Sequence, residues 1–437
     1  MQDWKQIYKE RLMSADEAVK FVQSGERWAT THATAESWVL TEALCKRAME
    51  LENVQLWQGL NWGTAQYCEP QYHGHLDVDT IFCGTATRQA VNEKRGNYGP
   101  MHVSMIDRAF ETTVPIDGLL AHVTPPDENG YCNLGVSVDF GASAIAHGKK
   151  IIAQVNPSMP WVFGQHNTIH VSQILAFVEE NTPLLNIPPI DDTDPLSTKI
   201  GENIAELIED GSCLQMGQGK VPNAILKYLG DKKNLGVHTE VFSDNLLPLI
   251  EKGVVNGQNK NIDKGKITAM FIQGSHDLYK FVDRNPMINI APGWYTNNPA
   301  IISQNDKVCA INACIEIDLT GQVNCEWMNG KIFSGIGGQV DFLRGAAYSK
   351  GGKPILCLPS TARHGAVSRI VPTLAPGTPV STPRCDVHWV VTEYGAVNLF
   401  GKSLLQRGDA LISIAHPDFR DQLQNDWDEI WRKMGSK

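Results

Sequence analysis

Hydrophobic positions recur at helical spacing soon after the N-terminus. Ala18, Phe21 and Val22 share one face, and Ser14 with Glu17 forms a capping box that would open the helix. Gly25 is placed to stop it. An apolar stretch follows, then the small polar loop THATAES (31–37), then a second apolar face around Trp38, Val39 and Leu40. The same punctuation returns 186 positions later. Ile204, Leu207 and Ile208 stand where Ala18, Phe21 and Val22 stood, and Gly211 where Gly25 stood. CLQMG supplies the strand, GQGKVP the loop, and Asn223-Ala224-Ile225-Leu226 the start of the next helix. The pattern predicts two related α/β halves, each opening helix, strand, loop, helix.

Between the halves runs NTPLLNIPPIDDTDPLSTK (181–199), with four prolines and three aspartates. That composition predicts a linker, so the chain divides near residue 192. Domains are expected at 1–192 and 193–437. Further on, GVHTEVFSDN (236–245) alternates as a strand: Val237, Thr239 and Val241 face one way, His238, Glu240 and Phe242 the other. A carboxylate thus sits beside an aromatic just before a Ser-Asp-Asn turn. By the strand pattern alone it reads as an exposed strand-end glutamate.

A length of 437 residues fits two domains. A net charge of −10, with no long basic run, argues against a nucleic-acid or anionic-membrane partner. The ten cysteines form no CxxC pair, which reads as reduced thiols. No apolar run has the length of a signal peptide core or a membrane span, so a cytoplasmic location is expected.

Four segments of the second half could carry chemistry. Gln215-Met216-Gly217-Gln218-Gly219, with Lys220 behind it, lies between a strand and a helix. It is a tight turn or an anion cradle, but not a Walker loop, since Val221 replaces the magnesium-binding hydroxyl. Ser334-Gly335-Ile336-Gly337-Gly338-Gln339 removes side chains where something approaches the backbone. It reads as a hairpin corner or as a set of N–H donors to an oxyanion. Tyr295-Thr296-Asn297-Asn298-Pro299 is turn chemistry or a placed amide. Ser360 to Gly365 puts Arg363 and His364 on a loop after the strand ILCL. There is no GxSxG elbow, no HExxH and no strong metal-ligand cluster among the 13 histidines. A carboxylate nucleophile therefore gains interest.

Taken together, several stretches resemble one family across the whole chain. They are TPPDENGYCNLGVS (124–137) and AQVNPSMPWVFG (153–164), then HTEVFSD, EIDLTGQVN, SGIGGQVDFLRGA, SRIVPTL, VVTEYGAVNLFGKS and IAHPDFRDQL in that order. The sequence resembles the family I CoA-transferases, in the branch of 4-hydroxybutyrate and butyryl-CoA:acetate CoA-transferases and acetyl-CoA hydrolases. The resemblance implies two open α/β CoA-transferase domains with the active site in the cleft between them. The N-terminal domain would wall the acyl pocket and the C-terminal one bind CoA. It implies that Glu240 of His238-Thr239-Glu240 is the nucleophile and carries a glutamyl-CoA thioester. Asn297 would polarise the reacting carbonyl, and Gly338 would offer an N–H to the oxyanion or to CoA. Gln215, Met216, Gly217, Gln218 and Gly219 would form the CoA loop, and Ile315 would contact CoA.

The chain departs from the family pattern in places. Its CoA loop reads GQGK rather than a glycine-richer form, and Asn245 replaces a glycine after the glutamate motif. The lysine expected near residue 363 is absent, leaving Arg363 or His364 to substitute. Glu36-Ser37-Trp38 replaces a Glu-Pro, which points to an altered acid specificity. The expected activity is transfer of CoA between short-chain acids, of the butyryl-CoA or 4-hydroxybutyryl-CoA:acetate type or with a dicarboxylate such as succinate or itaconate. Alternatives are an acyl-CoA hydrolase, a non-catalytic CoA-binding protein and a phosphosugar isomerase. Acyl-CoA and small carboxylic acids are the expected partners, with no metal and no tightly bound cofactor. The resemblance also implies a homodimer or homotetramer.

Overall fold

The computed structural model describes residues 3–188, 194–217 and 219–435. Two parallel sheets dominate it. The first contains β1 (Arg27–Thr30), β2 (Val54–Gln58), β3 (Leu76–Thr80), β4 (Gly96–Tyr98), β5 (Gly118–Val123), β6 (Lys150–Val155) and β7 (Ala176–Glu179). The second contains β8 (Cys213–Met216), β9 (Gly236–Phe242), β10 (Ile267–Ile272), β11 (Ile288–Ile290), β12 (Val308–Ala313), β13 (Lys353–Cys357), β14 (Trp389–Thr392) and β15 (Gly395–Asn398).

The first sheet runs β4-β3-β2-β1-β5-β6-β7, and the second runs β11-β10-β9-β8-β12-β13-β14-β15. The two orders are the same, except that β15 adds an antiparallel edge to the second. This bears out the reading of two related halves. The paired glycines also match: Gly25 and Gly211 have φ of 80° and 76°. Each gives its N–H to a distant carbonyl at 2.8 Å, Glu52 for one and Lys233 for the other. A positive φ suits glycine, and here it turns the chain from helix into strand.

The capping box at Ser14 and Glu17 is present. Its α-helix is one turn, Ala15–Ala18, continued by a 3₁₀ turn over Val19–Phe21. The second helix is Trp38–Lys46, and its counterpart in the other half is Lys220–Leu226. The division near residue 192 lies outside the described residues. On its C-terminal side Asp194 caps the helix Pro195–Ala205, accepting from Ser197 N at 3.1 Å.

One hydrophobic cluster takes in residues of both halves, among them Phe140 and Val138 from the first and Met270 and Phe271 from the second. The halves therefore share a core where their sheets approach. Ser137 and Phe271 make an isolated bridge across this seam, as do Gly164 and Ile290. Eight of the ten cysteines are buried, Cys325 is half-buried and Cys385 is exposed, and all are free thiols. Among the described residues no helix is long and apolar enough to cross a membrane.

Candidate active site

In an open parallel sheet, ligand crevices form outside the carboxyl ends of the strands where the order reverses. In the second half that point lies between β8 and β12. Gly217 and Gly219 follow β8, and Ile315 follows β12, so the topology places these expected CoA contacts beside one crevice. Gln218 lies outside the described residues. Gln215 is buried, and its amide exchanges hydrogen bonds with Asn312, at 2.9 and 3.3 Å. Met216 O accepts from Thr239 Oγ1 at 3.1 Å, locking β8 to β9. A side chain at Gly217 would meet open space.

Glu240 lies within β9, two residues before its end at Phe242. Every other residue of that strand is buried, and Glu240 is half-buried. The exposed strand-end reading fails because β9 is central, covered on both faces, with its carboxylate in an internal cavity. The cavity is about 60 Å³ and is lined from both halves. Leu60, Ile81, Phe82, Val103, Ile106 and Phe140 come from the first, and Glu240, Met270, Phe271 and Gly337 from the second. Phe242, the aromatic that the alternation set beside Glu240, is fully buried and not among the lining residues. Phe82, Phe140 and Phe271 line the cavity instead.

Asn297 Nδ2 donates to Glu240 Oε2 at 2.9 Å. The Gly338 N–H also donates to this carboxylate. A Cβ built on Gly338 would overlap both Glu240 Oε2 and Asn297 Nδ2. Burial raises the Glu240 pKa, and the Asn297 hydrogen bond opposes it. The glycine segment is not a hairpin corner: Gly338 caps the N-terminus of helix Gln339–Tyr348.

The residues around Glu240 are braced. His238 Nε2 donates to Thr296 O at 2.8 Å, which holds the turn before Asn297 against β9. Burial pushes the His238 pKa down to about 4, with a second contribution from Lys260, so the ring is neutral. Lys260 is itself buried. Its ammonium donates to Val237 O, Lys266 O and Thr268 Oγ1 at 2.9–3.0 Å, bridging β9 and β10. Burial pushes the Asp341 pKa up to about 6, against hydrogen bonds from Ser104 N and Oγ at 3.1 and 2.8 Å.

His32 also lines the cavity and is 6% exposed. Its ring lies against Phe140 and Phe271, with centroids 5.1 and 4.6 Å away. Nδ1 faces Asp139 Oδ2 at 3.0 Å. Asp139 also accepts from Ser137 Oγ and from the Phe140 and Gly141 N–H groups. With Nδ1 donating, Nε2 is the free position toward the cavity. The sequence reading missed His32 and Asp341. His32 follows β1 at the switch point of the first half, so the internal repeat carried a signal for it. Asp341 had none beyond its place behind the glycines.

Arg363 and His364 are not brought to the cavity. Both are exposed, with positive φ, at the tip of a small hairpin. Arg363 Nη2 donates to Asn329 Oδ1 at 3.0 Å. Among the described residues no group of three His, Cys, Asp or Glu side chains could hold a metal ion.

Glu36 of the altered Glu-Ser-Trp stretch is 4% exposed. Asn61 Nδ2 donates to its Oε2 and Tyr67 OH to Oε1 at 3.1 Å. Burial pushes its pKa up to about 7. A folded-state pKa above the unfolded value means the stabilising state is the protonated one, lost as pH rises through about 7. Glu36→Gln should therefore be more stable than the parent by about 3 kcal/mol at about pH 8, and so melt higher there, and match it near pH 4. Asn61 Oδ1, now without a partner, could turn to accept from the new amide. Thermal melts at the two pH values would check this; equal melting at both would mean that Glu36 is already compensated.

The acetyl-CoA hydrolase/transferase N-terminal domain profile matches residues 1–189, and the C-terminal domain profile matches 274–427. The chain is 43% identical to a 4-hydroxybutyrate coenzyme A transferase of Clostridium kluyveri, over 97% of this chain and 99% of the relative. It is 40% identical to a succinyl-CoA:cyclohexane-1-carboxylate CoA transferase of Geobacter metallireducens, over 96% and 95%. The crystal structure of RipA from Yersinia pestis superposes with a TM-score of 0.92 at 36% identity, covering 98% of this chain and 99% of RipA. With two domain profiles along its length and whole-chain relatives of this identity, the chain belongs to the acetyl-CoA hydrolase/transferase family, as a CoA-transferase.

Proposed function

We propose that the protein moves CoA between short monocarboxylic acids through a thioester formed on Glu240. The observation that carries this reading is the Glu240 carboxylate itself. It sits in a small, mainly apolar cavity between the halves, held by Asn297 Nδ2 and the Gly338 N–H. Such a carboxylate needs no general base to act as a nucleophile once ionised.

Glu240 attacks the acyl-CoA carbonyl. The tetrahedral oxyanion collapses, expelling CoA thiolate and leaving an acyl-glutamyl anhydride. The thiolate then attacks the Glu240 carbonyl, releasing the first acid as its carboxylate and leaving the glutamyl-CoA thioester. A second carboxylate reverses both steps and departs as a new acyl-CoA. Asn297 Nδ2 and Gly338 N–H, which hold the resting carboxylate, would take up negative charge on the oxyanion. Phe82, Phe140 and Phe271 keep water from intermediates that it would hydrolyse.

The cavity volume suits a short acyl chain. Its described lining holds no Lys or Arg, which favours butyryl- or 4-hydroxybutyryl-type groups over dicarboxylates. His32 Nε2 is a polar atom there that could accept from a chain hydroxyl. The test is the intact mass after mixing with butyryl-CoA and no acceptor acid. A gain of one CoA less one water, mapped to Glu240, is expected, and acetate should discharge it. Discharge to water at the same rate as to acetate would make the enzyme a hydrolase. An active enzyme that never carries CoA on Glu240 would end the thioester mechanism.

A further inference from the structure

The glycine loop beside Glu240 does not rest on its own domain alone. Just upstream, Trp327–Met328 and Lys331–Ile332 form a two-stranded hairpin. Asn329 and Gly330 turn it with φ of 53° and 72°, the conformation that an Asn-Gly turn favours. The hairpin lies against the helix Arg88–Asn92 of the N-terminal half.

Asn92 grips that hairpin in both directions. Its Nδ2 donates to Ile332 O at 2.8 Å, and its Oδ1 accepts from Ile332 N at 3.0 Å. Nδ2 also donates to Arg88 O at 2.9 Å, which fixes the amide's orientation. The next residues are held from the same side. Arg88 Nε donates to Phe333 O at 2.7 Å, and its guanidinium lies 4.0 Å from the Phe333 ring centroid. Cys83 N donates to Ser334 O at 3.3 Å. Gly335 lies so close to Ile81 O that a Cβ would overlap it. Gly337 and Gly338 follow, at the carboxylate. Beyond them Asp341 is tied to Ser104, again in the N-terminal half.

The nucleophile is thus carried by β9 of one half, while the loop that donates to it is anchored at both ends to the other. We propose that Asn92 is a positioning residue, holding the Gly335–Gly338 backbone at the distance from Glu240 that the reaction requires. This rests on the glutamate mechanism above. The Ile332 pair is its central contact: hydrogen bonds to both the N–H and the C=O of one residue hold two successive peptide units of the strand that leads into the loop.

The experiment compares the parent with Asn92→Ala, Asn92→Asp and a control, Gln89→Ala, which alters an exposed residue on the same helix. Asn92→Ala should lower kcat about 10- to 100-fold and leave the KM for butyryl-CoA within about twofold. Gln89→Ala should match the parent. A protonated aspartic acid can accept from Ile332 N and donate to Ile332 O, whereas the ionised form cannot donate. The Asn92→Asp rate relative to the parent should therefore rise as pH falls toward about 5, while the Asn92→Ala ratio stays flat. An unchanged kcat in Asn92→Ala, or the same pH ratio in both variants, overturns the proposal. A second readout does not depend on turnover. Hydrogen exchange of the 333–338 backbone should quicken in Asn92→Ala and not in Gln89→Ala. If it does not, the clasp is wrong whatever the chemistry. Absence of a thioester in the parent would instead count against Glu240.

Discussion

Glu240→Gln should lose about 10⁴-fold or more in kcat, with the fold and acyl-CoA binding retained. Glutamine keeps the shape and can still accept from Asn297 Nδ2, but a neutral amide does not attack a thioester. Glu240→Asp should lose about 10²- to 10³-fold, because one fewer methylene withdraws the carboxylate from its 2.9 Å contact with Asn297. The parent's pH profile supplies the companion test. Burial raises the Glu240 pKa, and on the proposed mechanism the ionised form is the nucleophile. kcat/KM for acyl-CoA should therefore fall as pH drops, along a limb centred above the ordinary carboxylate range. That limb should be absent from the residual rate of Glu240→Gln. A glutamine variant within about tenfold of the parent would remove Glu240 from the chemistry.

Gly338→Ala is the second large effect expected, at about 10³-fold in kcat. Its cause is space. Gly338 has φ −91° and ψ 8°, which alanine adopts without strain. The added methyl would overlap Glu240 Oε2 and Asn297 Nδ2, so both must move from the geometry that joins them to the loop N–H. The fold should survive the change, since the backbone angles are ordinary. Steady-state rates beside thermal melts would separate the two effects. Near-parental turnover would mean that the glycine loop stands clear of the reacting atoms.

Glu240 stood out as a candidate through a family motif of three consecutive residues, His238, Thr239 and Glu240, which the structure places on one strand. The duplication was legible through Gly25 and Gly211, since a helix-to-strand turn with positive φ needs glycine at both places. Gly338 was legible as a place where something approaches the backbone. What stayed hidden depends on partners far along the chain. His32 takes its orientation from Asp139, 107 residues away, and nothing in THATAES signals that pairing. Asp341 meets Ser104 across 237 residues. Lys260 stands among several lysines in a polar stretch, yet its ammonium is buried by acceptors that only the sheet assembles. Alternation failed for β9 because a central parallel strand is covered on both faces, so a polar residue along it need not be an exposed one.

The buried and half-buried thiols bear on the fidelity of the proposed reaction. A mixed anhydride and a glutamyl thioester are both acylating agents, and a protein thiolate would compete with CoA for them. Burial pushes the thiols of Cys45, Cys68, Cys83, Cys132 and Cys357 up to about 12, and those of Cys213, Cys309 and Cys325 up to about 11. Burial also holds the Cys314 thiol well above its ordinary range. At neutral pH these nine side chains hold their protons and so do not compete with the thiolate that CoA would bring to the proposed intermediates. Nine of the ten thiols are in this way withdrawn from self-acylation by the anhydride and thioester that the proposed mechanism would form.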